Sequence, residues 1–193
     1  LWNRSDKKLY LARDRMGEKP LYWGWAGKEL VFGSELKALK QHPYCPSEVC
    51  RDALAQYLTH AYVPAPRSIH PGVYKLEPGC ILEVDGSPQP TPPQQPLRPG
   101  DRYGSIQIRR YWSLNETLVE AQKSQIEVDA EALTIVETAL YNSIKRQMIS
   151  DVPLGAFLSG GIDSSLIVSV MQRQSLVPVK TFTIGFEKAY FNE

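Results

Sequence analysis

Ser159-Gly160-Gly161-Ile162-Asp163-Ser164-Ser165 gathers three hydroxyls, two glycines and a carboxylate within seven residues. The apolar run Leu154-Gly155-Ala156-Phe157-Leu158 precedes it, and Leu166-Ile167-Val168-Ser169-Val170-Met171 follows. That order reads as strand, turn and helix. The N–H groups of such a turn and of the first helical turn have no internal partners, and the helix dipole favours negative charge there. Glycines let the backbone approach a ligand closely. The serines add hydroxyl donors, and Asp163 is a carboxylate suited to Mg²⁺. The pattern is not a Walker A loop, because Gly161 stands where the lysine belongs after Gly155 and Gly160. It is not Gly-x-Gly-x-x-Gly either. Neutral donors and a metal must hold the anion, which suits pyrophosphate as a leaving group.

These seven residues look like the pyrophosphate loop of the ATP pyrophosphatases. Met148-Ile149-Ser150-Asp151-Val152-Pro153-Leu154-Gly155 lies just upstream. Earlier blocks are Ala12-Arg13-Asp14-Arg15-Met16-Gly17-Glu18-Lys19-Pro20-Leu21-Tyr22, Gly33-Ser34-Glu35-Leu36-Lys37-Ala38-Leu39 and Val73-Tyr74-Lys75-Leu76-Glu77-Pro78-Gly79. The ordered set closely resembles the glutamine-hydrolysing asparagine synthetases, which are two-domain class II amidotransferases. The resemblance covers the chain apart from about residues 86–100. It implies that residues 1–115 are the C-terminal portion of an αββα Ntn-type glutaminase domain, an α+β part. It implies that residues 116–193 begin an α/β parallel-sheet ATP-pyrophosphatase domain. The implied ligands are ATP, Mg²⁺, glutamine and aspartate, and the family allows a homodimer of the full-length protein.

Carried over residue by residue, the resemblance assigns ATP and pyrophosphate to Ser159, Gly160, Gly161, Asp163, Ser164 and Ser165, with Asp163 near Mg²⁺. It adds Leu158, just before the loop, and Ile184 in Thr181-Phe182-Thr183-Ile184-Gly185-Phe186. From their residue types alone, Leu158 and Ile184 read as core. The implied reaction is attack of the aspartate β-carboxylate on the α-phosphorus of ATP, followed by displacement of AMP by ammonia.

The chain also departs from the family. Glutaminase chemistry needs an N-terminal cysteine with a free α-amine, and this chain starts Leu1-Trp2-Asn3. No catalytic residue is therefore assigned. The chain reads as an internal fragment of a longer protein, inactive alone. Related amidotransferases with other acceptors share the blocks, such as β-lactam synthetase and enzymes of exopolysaccharide or natural-product clusters. A non-catalytic truncated product is a further alternative.

The composition is that of an ordinary globular protein: 193 residues, net charge +1, 42% hydrophobic. The charge gives no footprint for nucleic acid, and no apolar run approaches a membrane span. Residues 1–20 carry charges throughout and do not read as a signal peptide. Cys45, Cys50 and Cys80 lack metal-site spacing and read as free thiols in a reducing, cytoplasmic setting.

The elements that must position the loop read as follows. Lys8–Asp14 is a strand, and Leu21–Trp25 with Leu30–Gly33 form a hairpin around Gly27-Lys28. A short helix follows Ser34, placed as its N-cap. A second helix spans Arg51–His60, with Ala53, Leu54, Tyr57 and Leu58 on one face. Gly72–Leu76 and Cys80–Val84 flank the turn Glu77-Pro78-Gly79. Residues 86–100 hold six of the fifteen prolines and read as a flexible or extended loop without a core of its own. Ile106–Trp112 is one more strand, and Asn115–Gln125 a weak connector at the domain boundary. A helix over Asp129–Met148 shows Leu133, Val136, Leu140, Ile144 and Met148 at helical spacing, predicting a buried face. Strands at Leu154–Leu158 and Val179–Phe186, joined by a helix to about Gln174, predict a parallel unit with nucleotide at their carboxyl ends. Arg13-Asp14-Arg15 reads as a structural ion-pair cluster, and Glu35 and Lys37 as surface charges. His42, His60 and His70 read as non-catalytic, and Trp23 and Trp25 as packing residues.

Overall fold

The computed structural model describes residues 1–185. The chain divides into two compact units, one running from Leu1 to Lys123 and one starting at Ser124.

In the first unit, strands β1 (Trp2–Asn3), β2 (Lys8–Ala12), β3 (Tyr22–Ala26) and β4 (Glu29–Gly33) lead to helices α1 (Leu36–Leu39) and α2 (Arg51–His60). Strands β5 (Val73–Lys75), β6 (Cys80–Asp85), β7 (Arg102–Tyr103) and β8 (Ile106–Arg110) follow, then helix α3 (Leu114–Ala121). The strands make two antiparallel sheets, ordered β1-β2-β6-β8-β7 and β4-β3-β5. Alternation along β6 turns Cys80, Leu82 and Val84 inward, and Leu82 and Val84 pair with Ile108 and Ile106 of β8. These side chains share one core with Trp23, Trp25 and Tyr74 of the smaller sheet. Two sheets, each apolar on one face, thus bury those faces together.

The hairpin of β3 and β4 closes on Gly27-Lys28 as expected, with Ala26 opposite Glu29. Its glycine has φ +64°, a left-handed conformation that glycine adopts without steric cost. The strands flanking Glu77-Pro78-Gly79 both form, but in different sheets, so they are not a hairpin. Gly79 (φ +65°) sits at the parting. Its N–H donates to the Asp14 carbonyl, and its own carbonyl accepts from Tyr111 and Trp112. A β-carbon on Gly79 would lie 2.3 Å from the Trp112 carbonyl oxygen, so the turn admits no side chain.

Four expectations are corrected here. Helix α1 is capped by Glu35 rather than Ser34, with no side-chain capping bond. Of the predicted apolar face of α2, only Ala53 is buried; Leu54, Tyr57 and Leu58 are exposed. Leu114–Ala121 is a helix rather than a weak connector. The reason is local: Ser113 accepts from the Glu116 N–H at 3.4 Å, and Glu116 stands in the first turn. Finally, residues 86–100 are not a loose loop. Trp25 Nε1 donates to the Gln89 carbonyl at 2.8 Å, Tyr74 Oη to the Pro93 carbonyl at 3.1 Å and Ser105 Oγ to the Ser87 carbonyl at 2.9 Å. Leu97 is buried in the main core. The segment is a strap laid over the aromatic side chains of the smaller sheet.

The second unit holds helix α4 (Asp129–Gln147), strand β9 (Gly155–Phe157), helix α5 (Ile162–Arg173) and strand β10 (Lys180–Phe182). Strands β9 and β10 pair in parallel, Gly155 with Lys180, Ala156 with Thr181 and Phe157 with Phe182. Helix α5 makes the crossover that a parallel pair requires. The buried cluster is small: Ile144, Val170 and Met171, with Met148, Ala156 and Val179 against it. The predicted buried face of α4 is therefore only partly realised, since Leu133 and Val136 are exposed. The strand expected to reach Phe186 ends at Phe182, and Phe186 lies outside the described residues.

Candidate functional site: the loop between β9 and α5

The loop leaves the carboxyl end of β9. Leu158 N–H donates to the Phe182 carbonyl at 2.9 Å, extending the parallel ladder by one bond, and Thr183 Oγ1 donates to the Leu158 carbonyl at 2.7 Å. Leu158 is thereby fixed at the mouth of the turn and is half-buried. Gly160 then takes φ +81°, and Gly161 returns to extended backbone as the N-cap of α5.

The serines hold the turn together from within. Ser164 Oγ lies 3.1 Å from Ser159 Oγ and accepts from the Ser159 N–H at 3.3 Å. Ser164 and Ser165 hydroxyls both reach the Gly161 carbonyl, at 3.1 and 2.8 Å. The first helical bond of α5 is Ser165 N–H to Gly161 carbonyl at 3.1 Å. The N–H groups ahead of it, on Gly160, Gly161, Ile162, Asp163 and Ser164, meet no acceptor among the described residues. Exposed orphan donors at a helix N-terminus carry partial positive charge and suit an anion. Asp163 stands in the first turn, exposed.

Ser159, Gly160, Gly161, Asp163, Ser164 and Ser165 thus lie on one turn. Leu158 joins them through the strand ladder, and Ile184 lies two residues beyond β10. Ile184 is exposed and Leu158 half-buried, so the core reading from residue type fails for both. No group of three or more His, Cys, Asp or Glu side chains among the described residues could hold a metal ion. One carboxylate is still a fit for Mg²⁺, which commonly keeps its waters and takes one or two carboxylates beside substrate phosphates.

The other flagged residues have structural partners. Arg13-Asp14-Arg15 makes no ion pair among the described residues, which corrects the ion-pair expectation. Instead Arg13 donates to the carbonyls of Lys19, Leu76 and Gly17 at 3.0, 2.7 and 2.9 Å. Asp14 accepts from the Glu18 and Lys19 N–H groups at 2.8 and 3.1 Å. Burial pushes the Asp14 carboxyl up, but these amides, Gly17 and Arg13 outweigh it and hold the group below its ordinary value. His42 faces Glu29 at 2.9 Å, and buried His70 lies 2.7 Å from the Glu48 carbonyl. Glu35 and Lys37 pair on the surface at 2.7 Å. Cys45, Cys50 and Cys80 are free. No helix among the described residues is long and apolar enough to cross a membrane.

Two family models match this chain, glutamine amidotransferase domain over residues 1–92 and asparagine synthase over residues 136–193. Strands β1 to β6 lie within the first match, β7 and β8 beyond it, and the anion-suited turn lies within the second. The mixed fold with its antiparallel sheets is consistent with a glutamine amidotransferase domain.

Among the relatives is asparagine synthetase [glutamine-hydrolyzing] 1 of Bacillus subtilis, 36% identical over all of this chain and 27% of its own length. A putative asparagine synthetase [glutamine-hydrolyzing] 2 of Methanocaldococcus jannaschii is 34% identical over 96% of this chain and 33% of its own length. A putative asparagine synthetase [glutamine-hydrolyzing] of Mycobacterium tuberculosis is 31% identical over all of this chain and 27% of its own length. The chain belongs to the family of glutamine-hydrolysing asparagine synthetases. It spans about a quarter to a third of the length of these relatives.

Proposed function

We propose that this chain carries the phosphate-binding part of an ATP-dependent, glutamine-using amide ligase that converts aspartate to asparagine. The observation that carries the reading is the turn at Ser159–Ser165, with its orphan N–H groups and a serine cluster that needs no lysine. Its position after a parallel strand and before a helix supports the same reading. Residues 116–193 are read as the start of an ATP-pyrophosphatase domain, and residues 1–115 as part of the glutaminase domain.

ATP lies with its β- and γ-phosphates against Ser159, Gly160, Gly161, Ser164 and Ser165. Leu158 and Ile184 line the nucleoside side. Mg²⁺, when bound beside Asp163, supplies neutralisation of phosphate charge. The β-carboxylate of aspartate attacks the α-phosphorus, and pyrophosphate leaves. Ammonia from glutamine then displaces AMP from the acyl adenylate. The chain's own contribution is orientation of the polyphosphate and stabilisation of charge developing on the leaving group. Neutral donors suit this task, because pyrophosphate must depart after the step.

The test uses the longer parent protein with aspartate, glutamine and Mg-ATP. Asparagine, AMP and pyrophosphate are the expected products. Formation of ADP and phosphate instead would overturn the adenylation reading. Amide formation on an acceptor other than aspartate would keep the loop assignment and reject the acceptor.

A further inference from the structure

A polar cavity lies in the first unit, among residues the proposed reaction does not use. Its volume is about 140 Å³, and its polar lining is Gln56 of α2, Arg67, and Gln95 and Arg98 of the strap. The rest of its wall includes Pro64, Pro66 and Pro96, which have no N–H to offer.

The side chains facing this space are donors in excess. The Arg98 guanidinium has no hydrogen-bond or carboxylate partner among the described residues; Asp101 instead accepts from the Arg98 backbone N–H at 2.8 Å. Arg67 has one acidic neighbour, Asp52, at 3.7 Å, beyond hydrogen-bond distance and largely exposed. The Gln56 side chain makes no hydrogen bond among the described residues, and its Oε1 is buried without a partner. Two under-committed guanidinium forks beside two amides form a set that planar or tetrahedral oxyanions match.

We infer that the cavity between α2, the Arg67 loop and the proline-rich strap binds a small oxyanion, a carboxylate or a phosphate group, held by Arg67 and Arg98. The site is independent of the β9–α5 turn and does not rest on the proposed ligase activity. Half of its polar lining belongs to residues 86–100, so ligand binding also fastens the strap. The volume admits a single small anion or the acid end of a larger molecule, not a nucleotide.

The experiment titrates this chain with inorganic phosphate and, separately, with acetate by calorimetry. Three proteins are compared: the unaltered chain, Arg98→Ala, and Ser159→Ala/Ser164→Ala. Arg98 is exposed, so its loss leaves the core intact. The expected result is a phosphate site that persists in the serine pair, even where total binding falls with loss of the β9–α5 turn, and that Arg98→Ala weakens at least about tenfold. Binding of phosphate alone would assign a phosphate-bearing ligand, binding of acetate alone a carboxylate-bearing one, and binding of both a site for oxyanions in general. Binding of neither, or binding lost only in the serine variant, would overturn the inference.

Discussion

Ser164 is the hinge pin of the turn, touching Ser159 twice and Gly161 once. Ser164→Ala removes all three contacts and frees the Ser159 hydroxyl. Affinity of the chain for Mg-ATP should fall about three- to tenfold, read by titration, with little change in helix content. Asp14 makes a prediction in pH. Its folded value lies below the ordinary 3.8, so its contribution is complete above that value and is lost as pH falls through the depressed one. Asp14→Asn should flatten the acid limb of a stability–pH curve and change little near neutrality; an unchanged acid limb would reject the assignment. Both residues were legible in different ways. The type and spacing of the serines point to a tight turn at a helix start, and that turn forms. The bonds Asp14 makes, to amides rather than to a neighbouring arginine, could not be read from a run of alternating charge. The same holds for Ile184, whose type says core and whose position at a strand end leaves it exposed.

The strap shows what elements add to residues. Its composition correctly excludes a regular strand or helix, because prolines cannot donate to a ladder. It does not reveal docking, because the donors that fasten it come from elsewhere; Trp25 is 64 residues from Gln89. The one hint was Leu97, an apolar side chain late in a polar run. Leu97→Ala should cost about 2–4 kcal/mol in denaturant unfolding. A value near zero would mean the strap is not part of the core. Helix α3 was legible and passed over: Ser113 followed three residues later by Glu116 is a start signal. The long helix α4 errs the other way. Its apolar periodicity is real, but only Ile144 finds a buried place among the described residues.

At the scale of the molecule, the two units differ in how much they bury. Among the described residues, the first has eleven in its buried cluster and the second three. Phe157, Ile162, Phe182 and Ile184 stand exposed around the parallel pair. Limited proteolysis of the chain should therefore cut first within the second unit, leaving a resistant piece ending near Lys123. Equal rates in both units would reject that ranking. The two-unit division is legible in the sequence only in outline, since the boundary falls just after helix α3, at Lys123. A last consequence concerns time rather than stability. Strand β2 finds its partner β6 across about 70 residues, and Tyr111 Oη bonds the Arg13 carbonyl across 98. Arg13 and Asp14 leave the ribosome well before the turn and strand end that lock them, which arrive only with Gly79 and Trp112. During synthesis the edge of β2 must wait unpaired for some 70 residues of further chain. Distant pairings of this kind slow folding and leave strand edges open to the wrong partner. The chain's vulnerable moment is thus during its birth, before the Gly79 turn closes.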